Sequence, residues 1–292
     1  MEPVVLVHGI WNLQSGLTPE EAAAGLAERA RPHLGLGLVA AGLGHVPVPE
    51  VVMAYYAHVL RSGPAESQAD GAPMDGLSEA ELAEAWEWLV VAGAPQPAES
   101  QAVLLAPLRQ AVGRLVHHRT GAGPVSRLRE AAVDRVSRLV VGVLREVNAY
   151  LTRPEARQAA RDVVADTIRL HRPRVVVAHS LGSVVTYEAL HAFPELEVEL
   201  LVTLGSPLGL PFVTRKLEPG PRAGRAPRPS GVGRWVNIAD VGDLVALPPE
   251  LGGAFPVDQH GTTDIGAVDF HTLGGYLANG LPAAALAPYL LS

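Results

Sequence analysis

The sequence predicts an α/β protein whose mostly parallel central sheet is interrupted by a long helical insertion. Three observations support this prediction. Short apolar runs rich in valine and leucine alternate with helix-like segments, which is typical of strands buried on both faces of a parallel sheet. From about Arg61 to Arg172 the strand signal almost vanishes, and afterwards the alternation returns. We therefore expect an α/β core formed by residues 1–60 and 153–292, with residues 61–152 as a helical insertion or cap.

The first part of the core begins with a strand at Pro3–His8, a continuous apolar run bounded by proline and glycine. A helix is expected over Thr18–Leu34, because Thr18 and Glu21 have the spacing of a capping box. Glu50–Tyr56 is again apolar and predicts a second strand. Strand, helix and strand in this order indicate a parallel pair.

The insertion is predicted to consist of helices. Ser78–Val91 starts with a second capping box, and two further helical segments are expected at Ala98–His118 and Val125–Leu151. In the last of these, apolar residues recur at helical spacing along one broad stripe. Pro154–His171 continues the helical pattern into the core.

The second part of the core restores the α/β alternation. A strand at Arg174–His179 is followed without a loop by a helix at Leu181–Phe193. Two more strands are expected at Glu199–Leu204 and Trp235–Ile238, and a final helix starts at about Thr272.

Composition excludes several classes of protein. The chain has 292 residues, of which 48% are hydrophobic, so it can bury a large core. It contains no cysteine, which excludes disulfides, thiolate metal sites and a cysteine nucleophile. The net charge of −7 argues against nucleic-acid binding. The N-terminal MEPVVLVHGI lacks the features of a signal peptide, and no apolar run is long enough to span a bilayer, so we expect a cytoplasmic protein without an integral membrane segment.

The stretch RVVVAHSLGS, residues 174–183, places Ser180 between a buried strand and a helix. A serine nucleophile on such a sharp turn needs small residues two positions before and after it, and Ala178 and Gly182 meet this requirement. The competing interpretation is an ordinary strand–helix turn with Ser180 as the N-cap. His179 is adjacent in sequence, but we expect its side chain to point away from Ser180 and to be structural.

These residues resemble the α/β-hydrolase superfamily, and within it the lipase-like and esterase-like members with an A-H-S-L-G nucleophile elbow. The resemblance covers about residues 3–56 and 155–280. The sequence His8-Gly9-Ile10-Trp11 resembles the oxyanion loop of that family, and Thr203–Pro207 resembles the strand and turn after the elbow helix. Val236–Leu247 resembles the family's acid loop.

The resemblance implies an oxyanion hole formed by the backbone N–H groups of Ile10 and Leu181. It also makes Trp11 a candidate wall of the acyl pocket, although a packing tryptophan is an equally good interpretation. The stripe of Val125–Leu151 could likewise line an acyl pocket or simply pack on the core or a dimer partner.

The family order Ser…Asp…His places the acid after Ser180. Asp243 is preferred because D-L-V-A-L-P resembles the family's acid turn, and Asp240 would then form the turn itself. Asp264 and Asp269 are more remote candidates.

The base must follow the acid, which leaves His260 and His271. His271 is preferred because it directly precedes a helix-like run near the C-terminus, where the family's base lies. His260 lies in the polar stretch VDQHGTTD, for which we expect an exposed loop.

The expected function is that of a serine hydrolase that cleaves an ester, thioester or lipid acyl bond, with Ser180 as nucleophile, His271 as base and Asp243 as acid. This chemistry acts on a small-molecule or lipid acyl substrate and requires neither metal nor organic cofactor. A peptidase or amidase, an acyltransferase with the same triad, and a non-catalytic binding protein of this fold remain alternatives.

Overall fold

The computed structural model describes residues 2–60, 76–97, 108, 110–114, 126–266 and 271–291. In this part of the chain, six strands form one all-parallel sheet in the order β2-β1-β3-β4-β5-β6. The strands are β1 (Val4–Val7), β2 (Val51–Ala54), β3 (Val175–His179), β4 (Val198–Leu204), β5 (Val232–Asp240) and β6 (Gln259–Thr263). The predicted α/β class and its parallel sheet are therefore confirmed.

Helices separate the strands along the chain. They are α1 (Pro19–Ala40), α2 (Glu79–Val91), α3 (Ser126–Thr152), α4 (Pro154–His171), α5 (Leu181–Ala192), α6 (Pro211–Thr214), α7 (Leu273–Ala278) and α8 (Gly280–Leu290). Single 3-10 turns occur at Ala57–Leu60 and Pro207–Gly209. Residues 110–114 are also helical, but most of the helix predicted over Ala98–His118 lies outside the described residues. None of the described helices combines the length and apolarity that crossing a membrane requires.

The sheet is buried on both faces because successive strand residues point to opposite sides. Val5 and Val7 belong to one apolar cluster, whereas Val4 and Leu6 belong to another. The first cluster includes residues of α2 to α5, and the second includes residues of α1, α7 and α8. Helices therefore cover both faces of the sheet, as the near-continuous apolar strands require.

The helix α1 has the capping box at Thr18 and Glu21 that the sequence predicts, but it ends six residues later than Leu34. Two glycines near the predicted end do not stop it. A Cβ at Gly37 would lie 2.1 Å from the carbonyl oxygen of Leu277, so this glycine permits close packing of α7 on α1. Leu38 is buried in the second apolar cluster, and this burial favours continuation of the helix beyond Leu34.

The described helices of the insertion pack on the core. Residues of α2 and α3 share the first apolar cluster with residues of β1, β3 and α5. Trp88 of α2 is fully buried, and its indole N–H donates a hydrogen bond of 2.6 Å to the carbonyl oxygen of Leu244 in the loop after β5. Val136, Val143 and Val147 on the stripe of α3 are buried as well. Packing on the core thus accounts for this part of the stripe.

The strand order reverses between β1 and β3, because the chain goes from β1 outward to β2 and then returns to β3. The carboxyl ends of β1 and β3 are therefore neighbours at the point where the strand order reverses, which is the position of the ligand-binding crevice in open α/β sheets. His8–Trp11 follow β1 and Ser180 follows β3, so both candidate motifs lie at this position.

Candidate active site

Ser180 lies at the turn between β3 and α5 in a strained backbone conformation. Its φ of 52° and ψ of −129° are unusual for a residue with a side chain, and its hydroxyl makes no capping hydrogen bond to α5. The structure therefore does not show the N-cap arrangement of the competing interpretation. A Cβ at Gly182 would lie 2.4 Å from the carbonyl oxygen of His8, so a glycine is needed there for α5 to approach the end of β1.

Ser180, His271 and Asp243 form a continuous hydrogen-bonded chain. The Oγ atom of Ser180 lies 2.9 Å from Nε2 of His271, and Nδ1 of His271 lies 2.7 Å from Oδ2 of Asp243. The side chain of Asp243 is fully buried and that of His271 nearly so. Because a carboxylate accepts the Nδ1 proton, Nε2 is left as an acceptor for the serine hydroxyl.

Two hydrogen bonds hold Asp243 in place, and a glycine leaves room for it. Its Oδ1 accepts the N–H of Val245 at 2.8 Å, and its Oδ2 accepts the hydroxyl of Tyr276 at 2.7 Å. Gly205 has a φ of +55°, and a Cβ there would lie 2.8 Å from Oδ2 and 3.3 Å from Nδ1 of His271. The absence of a side chain at Gly205 therefore leaves room for the pair.

Asp240 has a different position from Asp243, at the end of β5. Its two carboxylate oxygens accept the backbone N–H groups of Gly242 and Ile265, each at 2.6 Å. Burial, only partly offset by these two hydrogen bonds, raises its pKa. Its own N–H donates to the hydroxyl of Tyr276 at 2.8 Å. Asp240 thus forms the turn, as the sequence interpretation that prefers Asp243 expects.

Asp264 and His260, the other candidates among the described residues, do not join this chain of contacts. Asp264 caps its own turn through the N–H of Gly266, and Asp269 lies outside the described residues. His260 lies in β6, which is an edge strand and not the exposed loop that the sequence suggests. The stretch is polar, but pairing with β5 in register makes it a strand. Both ring nitrogens of His260 are buried and have no hydrogen-bond partner in the structure.

The loop after β1 packs directly against the elbow. A Cβ at Gly9 would lie 2.6 Å from the Cβ of Ser180 and 3.2 Å from its Oγ. Leu181 is the first residue of α5, where backbone N–H groups have no partner within the helix. Among the described residues, the N–H groups of Ile10 and Leu181 donate to no acceptor outside regular secondary structure. Leu181 directly follows Ser180 in the chain, and Ile10 directly follows Gly9, which packs against Ser180.

His8 supports the loop rather than facing a substrate. Its Nδ1 pairs with the carbonyl oxygen of Gly9 at 2.8 Å, and its Nε2 accepts the N–H of Tyr56 at 3.1 Å. The ring stacks on that of Tyr56 with centroids 4.3 Å apart. Burial lowers the pKa of His8 to about 4, so the ring is neutral at pH 7.

His179 is buried next to the base and does not turn away from the site. Its ring centroid lies 5.0 Å from that of His271, and it has a hydrogen bond with the His271 backbone. Burial, together with the nearby rings of His271 and His8, lowers its pKa well below the ordinary value. His179 therefore packs against His271 as a neutral ring, which sequence alternation along a strand did not predict.

Trp11 has contacts that the sequence does not reveal. Its φ is 59°, and its N–H donates a hydrogen bond of 3.0 Å to Oε1 of Glu146 in α3. The side chain is 38% exposed, so its predicted role as a pocket wall stays a prediction. No local pattern in the sequence marks Glu146, because its partner is 135 residues away.

The chain was compared with protein-family models, with curated proteins and with solved structures, and none matched. A function for this chain is therefore inferred from the geometry of these residues.

Proposed function

We propose that this protein is a serine hydrolase of the α/β-hydrolase fold that cleaves an ester, thioester or lipid acyl bond. The observation that carries the proposal is the hydrogen-bonded chain from Ser180 through His271 to Asp243, with the serine on a strained strand–helix turn. A hydrogen bond that serves only packing does not need a serine in such a conformation, whereas the nucleophile of a strand–helix elbow is held in one.

The mechanism follows from the atoms in contact. The Oγ of Ser180 attacks the acyl carbonyl carbon while Nε2 of His271 takes its proton. The negative charge on the carbonyl oxygen is stabilised by the N–H groups of Ile10 and Leu181. Asp243 keeps the imidazole in the required tautomer and stabilises its protonated form. His271 returns the proton to the leaving group, and water then hydrolyses the acyl-enzyme in the same way.

The fold and the residue order support this proposal. The candidate residues occur in the order Ser180, Asp243, His271, which is the order in α/β-hydrolases. They lie at the carboxyl edge of a parallel sheet, next to the crevice at which the strand order reverses. The steps need no metal or organic cofactor, and the predicted substrate is a small molecule or lipid. Cytoplasmic location and the lack of nucleic-acid partners remain predictions from the sequence.

Hydrolysis of p-nitrophenyl esters of increasing chain length tests the proposal. We expect Ser180→Ala and His271→Ala to lower kcat by about 10⁴-fold or more, because both act in the same step. His260→Ala is the matched control, since it removes the other histidine that follows the acid, and its rate should equal that of the wild type. A folded wild type that cleaves no ester would favour the binding-protein alternative.

Product analysis separates hydrolysis from transfer. With an added acceptor alcohol or amine, an acyltransferase forms a new ester or amide, whereas a hydrolase releases the free acid. Parallel assays with peptide or amide substrates distinguish a peptidase or amidase that uses the same residues.

A further inference from the structure

The helix α3 contacts the loop after β1 through two residues one turn apart. Glu146 accepts the backbone N–H of Trp11 at 3.0 Å. Gly142 lies against the indole of Trp11, and a Cβ at this position would come within 2.5 to 2.6 Å of three indole atoms. Residues four apart lie on the same face of a helix. One face of α3 therefore binds both the backbone and the side chain of Trp11.

Trp11 needs such support because its φ of 59° lies in the left-handed region, where a bulky residue is strained. The residue directly before it is Ile10, whose N–H is the proposed oxyanion donor. A change in the backbone at Trp11 would rotate or shift the peptide groups next to it. The contacts at Trp11 thus affect the direction of the Ile10 N–H.

The loop has a second set of contacts within its own segment. The side-chain amide of Asn12 donates to the carbonyl oxygens of Gly9 and Ile10 at 3.1 and 2.8 Å. A carbonyl and the N–H that follows it belong to one planar peptide group, so these bonds hold the Gly9–Ile10 and Ile10–Trp11 peptides from their oxygen side. Glu146 of α3 holds the Ile10–Trp11 peptide from its N–H side.

Stability alone does not explain a buried hydrogen-bond acceptor at this position. Burial raises the pKa of Glu146 to about 7, and the N–H of Trp11 opposes that shift. Among the described residues, Glu146 has no hydrogen bond other than that from Trp11 and no ion pair. An apolar side chain of similar size would avoid the cost of burying a charge with a single neutral partner.

We propose that Glu146 is a positioning residue that, together with Gly142, holds Trp11 so that the N–H of Ile10 points at the developing oxyanion. This inference rests on the proposed function. It assigns the helix α3 of the insertion a role in the chemistry of the site, in addition to packing on the core.

The test compares Glu146→Ala, Glu146→Gln and Gly142→Ala with Asp134→Asn, which alters an exposed carboxylate on the same helix. We measure kcat and KM for p-nitrophenyl acetate and the Ki of a trifluoromethyl ketone, whose tetrahedral adduct places an oxyanion in the hole. Melting temperatures establish that each variant is folded.

We expect Glu146→Ala and Gly142→Ala each to lower kcat by about 10- to 100-fold, with KM within twofold of the wild type. The Ki of the ketone should rise by the same factor as kcat/KM falls, because both report the oxyanion. Glu146→Gln should stay within about threefold of the wild type, since its amide oxygen accepts the same N–H. Asp134→Asn should change nothing.

The proposal is wrong if folded Glu146→Ala and Gly142→Ala proteins keep the wild-type kcat. It is equally wrong if kcat falls while the affinity for the ketone is unchanged, because a general structural role would give that result. Gly142→Ala keeps the test decisive should Glu146→Ala fail to fold. If the wild type itself neither cleaves the ester nor binds the ketone, the proposed function fails first and this inference fails with it.

Discussion

Ser180 is one of four described non-glycine residues with a positive φ, and its hydroxyl contacts His271. A non-glycine residue with a positive φ of this kind costs about 1–3 kcal/mol, so the surroundings must impose it. Here the imposing contacts are identifiable. Gly182 and Gly9 let the end of β1 touch the elbow, and the N–H of Ser180 donates to the carbonyl oxygen of Leu204 at 2.9 Å.

Tyr276 connects the two acidic residues, and its removal gives a first prediction. Tyr276→Phe removes the hydroxyl that donates to Asp243 and accepts from the N–H of Asp240. We expect kcat for p-nitrophenyl esters to fall about tenfold, which corresponds to about 1.4 kcal/mol, the order of one hydrogen bond to a charged group. Steady-state kinetics on the purified variant measure this. An unchanged kcat would show that Tyr276 does not orient Asp243.

Glu146 gives a second prediction, which concerns stability and is independent of catalysis. Its pKa is raised in the folded protein, so the folded state binds more protons than the unfolded state between about pH 4.5 and 7. The contribution of Glu146 to the free energy of unfolding of the wild type is therefore lost as the pH rises through that window. The free energy of unfolding of Glu146→Gln minus that of the wild type should rise by about 2 kcal/mol from pH 5 to 8, allowing for partial exposure.

Urea unfolding at several pH values measures the difference between the two proteins. Contributions from other groups, such as the buried His8, are common to both and cancel. A difference that does not vary with pH would show that the Glu146 carboxyl has its ordinary pKa.

The sequence predicts the candidate triad better than the residues that hold it. Ser180 is predicted from the small residues around it, Asp243 and His271 from the resemblance to α/β-hydrolases, and the structure brings the three side chains together. The sequence does not predict the contacts of Tyr276 and Glu146, because the partner of each is distant in sequence.

At the scale of elements, a buried charge cluster joins three helices behind the elbow. Glu188 of α5 is fully buried and binds Arg157 and Arg161 of α4, as well as the hydroxyl of Tyr150 of α3. Burial opposes the charge on Glu188, but the hydrogen bonds from Arg157 and Tyr150 and the charges of both arginines outweigh it, so the pKa is lowered. This cluster fixes α5, and with it the turn that carries Ser180.

A third prediction compares two glutamates that contact the same arginines. Glu188→Gln leaves buried guanidinium groups without their buried counter-charge and should lower the free energy of unfolding by about 3–5 kcal/mol. Glu218→Gln is the matched control, because the Glu218 side chain is 60% exposed and its ion pairs should contribute about 1 kcal/mol or less. Urea unfolding measures both losses. Equal decreases in the free energy of unfolding for the two variants would show that the buried charge of Glu188 contributes no more than the exposed charge of Glu218.

A fourth prediction concerns the glycine that lets α5 approach β1. Gly182→Ala places a methyl group against the carbonyl oxygens of Val7 and His8 and should destabilise the fold by about 1–3 kcal/mol. It should also abolish ester cleavage at temperatures at which the variant is still folded, because the elbow and the loop after β1 are pushed apart. A folded Gly182→Ala protein with the wild-type rate would contradict this close packing.

The elements that the sequence misses are those defined by tertiary contacts. The predicted end of α1 at Leu34 is too early, because the glycines that follow it lie inside the helix and Gly37 packs closely on Leu277. The loop expected around His260 is the strand β6, which is short and polar and is formed by pairing with β5. Buried strands such as β1 and β3 were predicted closely, because their apolar runs are unbroken.

At the scale of the whole molecule, the alternation of apolar runs and helices was enough to predict the α/β class and the parallel sheet. What it could not predict is how the insertion meets the core. The contacts of Trp88 with Leu244 and of Glu146 with Trp11 join segments that are 156 and 135 residues apart. Through them the helices α2 and α3 contact both the loop after β5 and the loop after β1.

The most direct test of the central claim is reaction of the intact protein with a fluorophosphonate, followed by mass spectrometric location of the label. We expect a single labelled peptide that contains Ser180. Labelling should be lost in Ser180→Ala and strongly reduced in His271→Ala. Labelling at another serine, or a folded wild type that is not labelled and cleaves no ester, would contradict the assignment of Ser180 as an activated nucleophile.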